Sequence, residues 1–162
     1  MSAVTGRLIA IARRQARRAP IEQCARGFIT PAEGLRGDCK GAKYPRRQIT
    51  VLEREAWEAA LDELGEQLPW TMRRANLLVE GIRLPRGIGS IVCIGSVELE
   101  VTGQTYPCRR MEEACPGLLS ALAKDWRGGI TARVLKGGPV TAGDPAEIVL
   151  SRLEAKAPRL PG

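Results

Sequence analysis

Apolar and polar positions first fall into a strand-like pattern over Thr5 to Arg13, TGRLIAIAR, where partial alternation combines with β-branched residues. PIEQCARGFI, Pro20 to Ile29, predicts a second strand. TPAEGLRGDCKGAKYPRR, dense in Gly and Pro, reads as a long loop; loops of that length are either functional or disordered. QITVL, from Gln48 to Leu52, is a short strand. In EREAWEAALDELGEQL the residues Ala56, Trp57, Ala60, Leu61 and Leu64 recur at helical spacing, with acids early and Gly65 as the stop. A short apolar run, Leu77 to Val79, follows.

The clearest β signal lies between Gly89 and Thr102. SIVCI and VELEVT are two strands joined by Gly95-Ser96, and Val97, Leu99 and Val101 alternate with Glu98 and Glu100. MEEACPGLLSALAKDW predicts a second helix beginning near Cys115, with Pro116 at its first helical position. Ile130 to Leu135 and AEIVL are the closing strands. Seven or eight short strands and two helices, without β-α-β alternation, predict a mainly β, barrel-like domain. No repeat or linker divides the 162 residues. One domain is expected, its core running from about 5 to 150 and residues 151–162 forming a frayed tail.

Composition adds little to the class but narrows the chemistry. Hydrophobic residues make up 44% and charged residues 27%, as in an ordinary globular protein, and no apolar run approaches a membrane span. At the N-terminus charge follows the apolar stretch, the reverse of a secretory signal, so a soluble cytoplasmic protein is expected. There is no His, which removes Ser-His and Cys-His dyads within the chain and every His-bearing metal site. Cys24, Cys39, Cys93, Cys108 and Cys115 form no CxxC pair and match neither a zinc ribbon nor a disulfide framework. The net charge of +7 is concentrated in the first quarter, a field that attracts phosphates on a cofactor or a nucleic acid. Aromatics at 4% leave few base-stacking platforms, and with no recognition motif present this argues against a nucleic-acid module.

Three stretches carry candidate chemistry. In TGQTYPCRRMEEACPG, Cys108 follows Pro107 and precedes Arg109 and Arg110. Arg residues lower a neighbouring thiol's pKa, so Cys108 is either a working thiolate at a strand end or a buried inert Cys. Alternation along a strand would put at most one of the two Arg on the Cys108 face. Cys115 reads as a helix-start residue or a resolving thiol, and Cys24, Cys39 and Cys93 as structural. In the loop LRGDCKGAKYPRRQ, Gly37, Lys40, Gly41, Lys43, Arg46 and Arg47 suit an oxyanion, although the P-loop Lys-Ser/Thr pair is missing. Otherwise it is a solvated basic loop. Asn76, in RRANL, either caps a turn or offers its amide to a heterocycle.

Taken in order, GLRGDCKG, RRQITVL, RRANLLVEGI, GSIVCIGSVELEVTGQTYPCRRMEEACPGL and RGGITARVLKGGPVTAGD resemble the MOSC domain, named for the C-terminal part of molybdenum cofactor sulfurases. The resemblance runs from about Thr5 to Val149. It implies a barrel-type β fold that binds the molybdenum cofactor (molybdopterin), a phosphorylated pterin dithiolene. It also implies that Cys108 ligates molybdenum or carries sulfur, that Asn76 contacts the pterin, and that Lys40, Arg47 and Arg109 surround the phosphate or the metal's oxo groups. Some relatives reduce N-hydroxylated compounds. The likeness is to the small stand-alone type, which implies sulfur from a separate cysteine desulfurase or electrons from an external electron-transfer protein. Two departures stand out. Lys40 occupies a position where many relatives carry His, and Lys is no neutral proton shuttle near pH 7 without a large pKa shift. Arg74-Ala75-Asn76 replaces a Gly-Glu-Asn run, keeping the Asn and losing the Glu.

Overall fold

A computed structural model of the chain describes residues 5–16, 18–106 and 108–152. Pro107 and most of the expected tail therefore lie outside the described residues. The alternating stretch TGRLIAIAR forms β1, Thr5–Arg13, with the limits its pattern predicts. It is followed by β2 (Glu22–Cys24), β3 (Arg26–Thr30), β4 (Gly34–Leu35) and β5 (Ile49–Glu53). Helix α1, Arg54–Leu64, ends at Gly65, whose φ of 63° is the left-handed stop that glycine supplies. Then come β6 (Leu77–Glu80), β7 (Ile91–Ile94) and β8 (Val97–Gln104). The turn between β7 and β8 is Gly95-Ser96, with Gly95 at φ 59° and Ile94 facing Val97. Helices α2 (Arg109–Ala114) and α3 (Leu118–Ala123) precede β9 (Ile130–Lys136), β10 (Gly138–Thr141) and β11 (Pro145–Leu150).

Seven strands close a barrel in the order β11-β7-β8-β9-β5-β6-β1, because β1 pairs with β11 through Thr5↔Glu147 to Arg7↔Pro145. β2 hangs on the far end of β1, and β10-β3-β4 form a separate small sheet. The mainly β, barrel-like class is as expected, with more strands than the seven or eight anticipated. The single strand expected over Pro20–Ile29 is two, since β2 pairs with β1 and β3 with β10. The second helix is also two. Gly117, at φ 90°, turns the chain after Pro116, and Cys115 ends α2 instead of starting a helix. One β-α-β unit is present as well, because β5 and β6 run parallel on either side of α1.

The barrel interior is filled by aliphatic side chains, among them Leu8, Ile11, Ile49, Leu77, Leu99 and Ile130. A second core lies outside the barrel wall. Leu52 and Leu78, from the opposite faces of β5 and β6, pack there with Trp57 and Leu61 of α1, Met111 of α2 and Leu118 of α3. β6 and most of β5 are thus buried on both faces, which is why their sequences read as short continuous apolar runs. Among the described residues no helix is long and apolar enough to cross a membrane.

Candidate functional site

At one end of the barrel, where β5 and β9 begin and β8 ends, a cleft of about 690 Å³ opens. Thr50, Thr102 and Thr131 lie along it. Thr102 reaches the cleft through a break in the ladder. Val101 faces Ala132 and Gly103 faces Thr131, so Thr102 is the extra residue of a bulge, and bulges re-aim side chains. Its hydroxyl lies 2.8 Å from Thr131 Oγ1 and donates to the Arg46 carbonyl, tying the basic loop to the barrel end. Gln104, Thr105, Tyr106 and Trp126 also line it, as do Arg86 and Ile88.

Among the described residues, four cations line this cleft: Lys40, Arg46, Arg47 and Arg86. They are not equivalent. Arg86 donates Nε to Asp125 Oδ1 (3.1 Å), Nη2 to the Asp125 carbonyl (3.0 Å) and Nη1 to the Leu84 carbonyl (2.6 Å), and it faces Glu53 at 3.6 Å. Burial pushes the Glu53 carboxyl up, and Arg86 opposes this. Slight burial would raise Asp125, but Arg86 and Arg83 hold it below the usual carboxylate value. Arg86 is therefore neutralised. Arg46 and Arg47 are exposed and form no ion pair among the described residues, although the Arg47 guanidinium lies over the Tyr44 ring at 4.9 Å. Burial pushes the Lys40 ammonium below the ordinary lysine value; Asp38 partly offsets this, and Arg14 and Arg47 add to it. Unspent positive charge thus faces the cleft from the loop side.

Asn76 stands behind the cleft. It is 5% exposed. Its Oδ1 accepts from Thr50 N at 3.0 Å and Thr50 Oγ1 at 3.1 Å, while Nδ2 donates to the Ala12 carbonyl at 3.4 Å. The amide ties β1 and β5 together at the start of β6 and holds Thr50 in place.

Cys108 lies beyond the cleft-lining run that ends at Tyr106, and it is exposed. It is not at a strand end as expected. β8 stops at Gln104, and Cys108 immediately precedes α2, its carbonyl accepting from Met111 N at 2.9 Å. Arg109 and Arg110 therefore open a helix and do not alternate along a strand, and both are exposed. The buried, inert alternative does not describe Cys108. It describes Cys115, which is 6% exposed.

Sequence reasoning did not single out Arg73. This residue is buried, donating Nη2 to the Thr105 carbonyl (2.8 Å) and Nε to the Gly128 carbonyl (3.1 Å). Among the described residues no carboxylate pairs with it. Burial lowers its pKa, and Cys108 opposes that shift. A side chain at Gly128 would collide with the Thr105 carbonyl and meet Arg73 Nη2 at 2.9 Å, so the bracket requires glycine there. Thr105 Oγ1 is the buried side-chain polar atom left without a partner among the described residues.

The chain is thus a closed, helix-flanked β-barrel with a cation-lined cleft at one end. The MOSC domain family matches residues 13–147, and the chain belongs to that family. Its fold is similar to that of the YuaD protein of Bacillus subtilis (TM-score 0.76, 18% identity, 93% of this chain and 99% of that one). It is also similar to YiiM from Geobacillus stearothermophilus (0.68, 16%, 89% and 75%) and YiiM from Escherichia coli (0.66, 22%, 91% and 71%). No curated protein matches the chain.

Proposed function

We propose that this domain binds the molybdenum cofactor in the barrel-end cleft, with the cofactor's phosphate against Lys40, Arg46 and Arg47. Cys108 then supplies the protein's sulfur, as a molybdenum ligand or as a sulfur carrier. The observation that carries this reading is the cluster of cations on the loop side of the cleft, Lys40, Arg46 and Arg47, none of which forms an ion pair with a carboxylate among the described residues, beside a neutralised Arg86. Charge of this kind suits an anionic ligand, and family membership names the ligand.

The donor set fits the group. Among the described residues no three His, Cys, Asp or Glu side chains converge to hold a bare metal ion. Molybdenum in a pterin dithiolene brings its own sulfur ligands and asks the protein for one more, which the exposed Cys108 thiol offers. When bound, the group would supply two-electron chemistry, such as reduction of an N-hydroxylated compound to its amine and water with two electrons and two protons from an external donor. Within that site the residues have separate tasks. Lys40, Arg46 and Arg47 bind the anion, the Arg73 bracket holds the backbone leading to Cys108, and Asn76 positions Thr50.

The test is molybdenum and pterin analysis of the protein purified anaerobically from a host that makes the cofactor. Both should be present in the wild type, and molybdenum should be lost in Cys108→Ser. Absence of both from the wild type would count against the reading.

One observation favours a second use of the same residue. Cys108 is exposed on the protein surface, within reach of another protein's persulfide. In a relay, the Cys108 thiolate attacks the outer sulfur of a desulfurase persulfide, forming a Cys108 persulfide and releasing the desulfurase thiolate. Mass spectrometry after incubation with a desulfurase and cysteine should find one added sulfur on Cys108. Sulfur confined to the other cysteines would exclude the relay.

A further inference from the structure

The turn before β9 is held in an improbable conformation. Asp125 and Trp126 are successive non-glycine residues in the left-handed region, at φ 47° and 55°. Side chains with a Cβ avoid this region, and strain of this kind persists only where surrounding structure over-determines it. Here it does. Asp125 accepts from Arg83 Nη2 at 2.9 Å and from Arg86 Nε at 3.1 Å, and its carbonyl accepts from Arg86 Nη2 at 3.0 Å. On either side of the pair, Lys124 and Arg127 both reach Glu63 of α1, at 3.2 and 2.9 Å. Four cations and two carboxylates thus fix a turn of four residues.

What the turn delivers is the Trp126 side chain. It packs on the barrel core from one side and forms part of the cleft wall on the other. Around the cleft Tyr44, Ile88 and Tyr106 are 41%, 59% and 74% exposed, an apolar edge on a cleft whose loop side is cationic. A ligand suited to both sides is a planar ring that carries an anionic group.

We propose that Trp126 is the ring-recognising wall of the cleft, and that Asp125, gripped by Arg83 and Arg86, is the positioning residue that holds it there. Arg86 then has a defined task. It fixes the wall against which the ring lies, while Lys40, Arg46 and Arg47 take the charge. The inference rests on the cleft being the anion site proposed above, and it adds which residue reads the ring.

The experiment uses the full chain without cofactor and two probes, sulfate (charge alone) and pterin-6-carboxylate (ring plus charge), with thermal melting of every variant as a control. Wild type should bind pterin-6-carboxylate more tightly than sulfate, and sulfate should compete with it. Trp126→Leu should weaken pterin-6-carboxylate about tenfold, the order of one base–aromatic stack, and leave sulfate affinity within about twofold. Trp126→Phe should restore most of the loss and guards against a Leu variant that misfolds. Asp125→Asn tolerates the left-handed backbone but loses the charge gripped by the two arginines. It should lower the ratio of pterin-6-carboxylate to sulfate affinity about threefold, less than the loss of the ring itself, because the Arg86 charge it releases favours both anions alike. Equal affinity of wild type and Trp126→Leu for pterin-6-carboxylate, with sulfate still competing, overturns the ring role and leaves the anion site standing. Failure of wild type to bind either probe overturns the anion site and this inference together.

Discussion

Arg86 and Arg47 line the same cleft and carry the same charge, yet their surroundings differ. Arg86 is enclosed by Asp125, Glu53 and the Leu84 carbonyl, with 16% of its side chain exposed. Arg47, with Arg46 beside it, stands exposed with its guanidinium over the Tyr44 ring. The difference separates a charge that holds the structure from charges left over for a ligand. A largely enclosed, ion-paired guanidinium is costly to remove and has little field to lend, whereas an exposed one costs the fold almost nothing to lose and attracts an anion.

Substitutions on the two walls should therefore fail differently. Arg86→Met leaves Glu53 buried without its partner and should destabilise the fold by about 3 kcal/mol, read by urea or thermal unfolding. A loss below about 1 kcal/mol would mean that the wall is not held by this network. Asn76→Ala, which strands Thr50 N and the Ala12 carbonyl, should cost about 2 kcal/mol in the same measurement. Unchanged stability would free Asn76 for a direct ligand role. On the other wall, Arg46→Met/Arg47→Met should unfold like wild type but bind sulfate about tenfold more weakly, with the difference shrinking as salt rises. Equal affinity would erase the distinction between the walls.

The smallest effect is a pH slope. Burial holds Lys40 below the ordinary lysine value, and a bound dianion favours its charged form. Sulfate affinity should then be greatest at pH values below the Lys40 pKa of the free protein. It should fall a few-fold as pH rises through that pKa toward the ordinary lysine value, with proton uptake on binding across the window. Lys40→Met should bind more weakly and show a flat profile. A slope that survives in Lys40→Met belongs to another group.

The legible parts of the sequence were those set by neighbours along the chain. Alternation gave β1 its limits, Gly95-Ser96 its turn, and Gly65 the end of α1. The basic loop was visible in its Gly, Pro and Arg density. What stayed hidden depends on residues far away in sequence. Nothing local distinguishes Arg86 from Arg47, because the partners of Arg86 are Glu53 and Asp125. Thr102 enters the cleft only because β8 and β9 slip register beside it. The break at Ala25 between β2 and β3 reflects the pull of two different partner strands. Trp126 closes the stretch that reads as the second helix, and its strained turn exists only through Arg83, Arg86 and Glu63. Cys108 was found by its Pro-Cys-Arg setting and by family resemblance. The buried Arg73 was not, since its partners, the Thr105 and Gly128 carbonyls, reach it only in the folded chain.

The central claim is that the unspent charge of the loop wall holds the molybdenum cofactor. The most direct measurement is molybdenum and pterin content per chain in wild type and in Arg46→Met/Arg47→Met, both made anaerobically in a cofactor-synthesising host. Wild type should carry both, and the double variant, folded as stably, should lose both together. Equal loading of the two proteins, or an empty wild type, would contradict it.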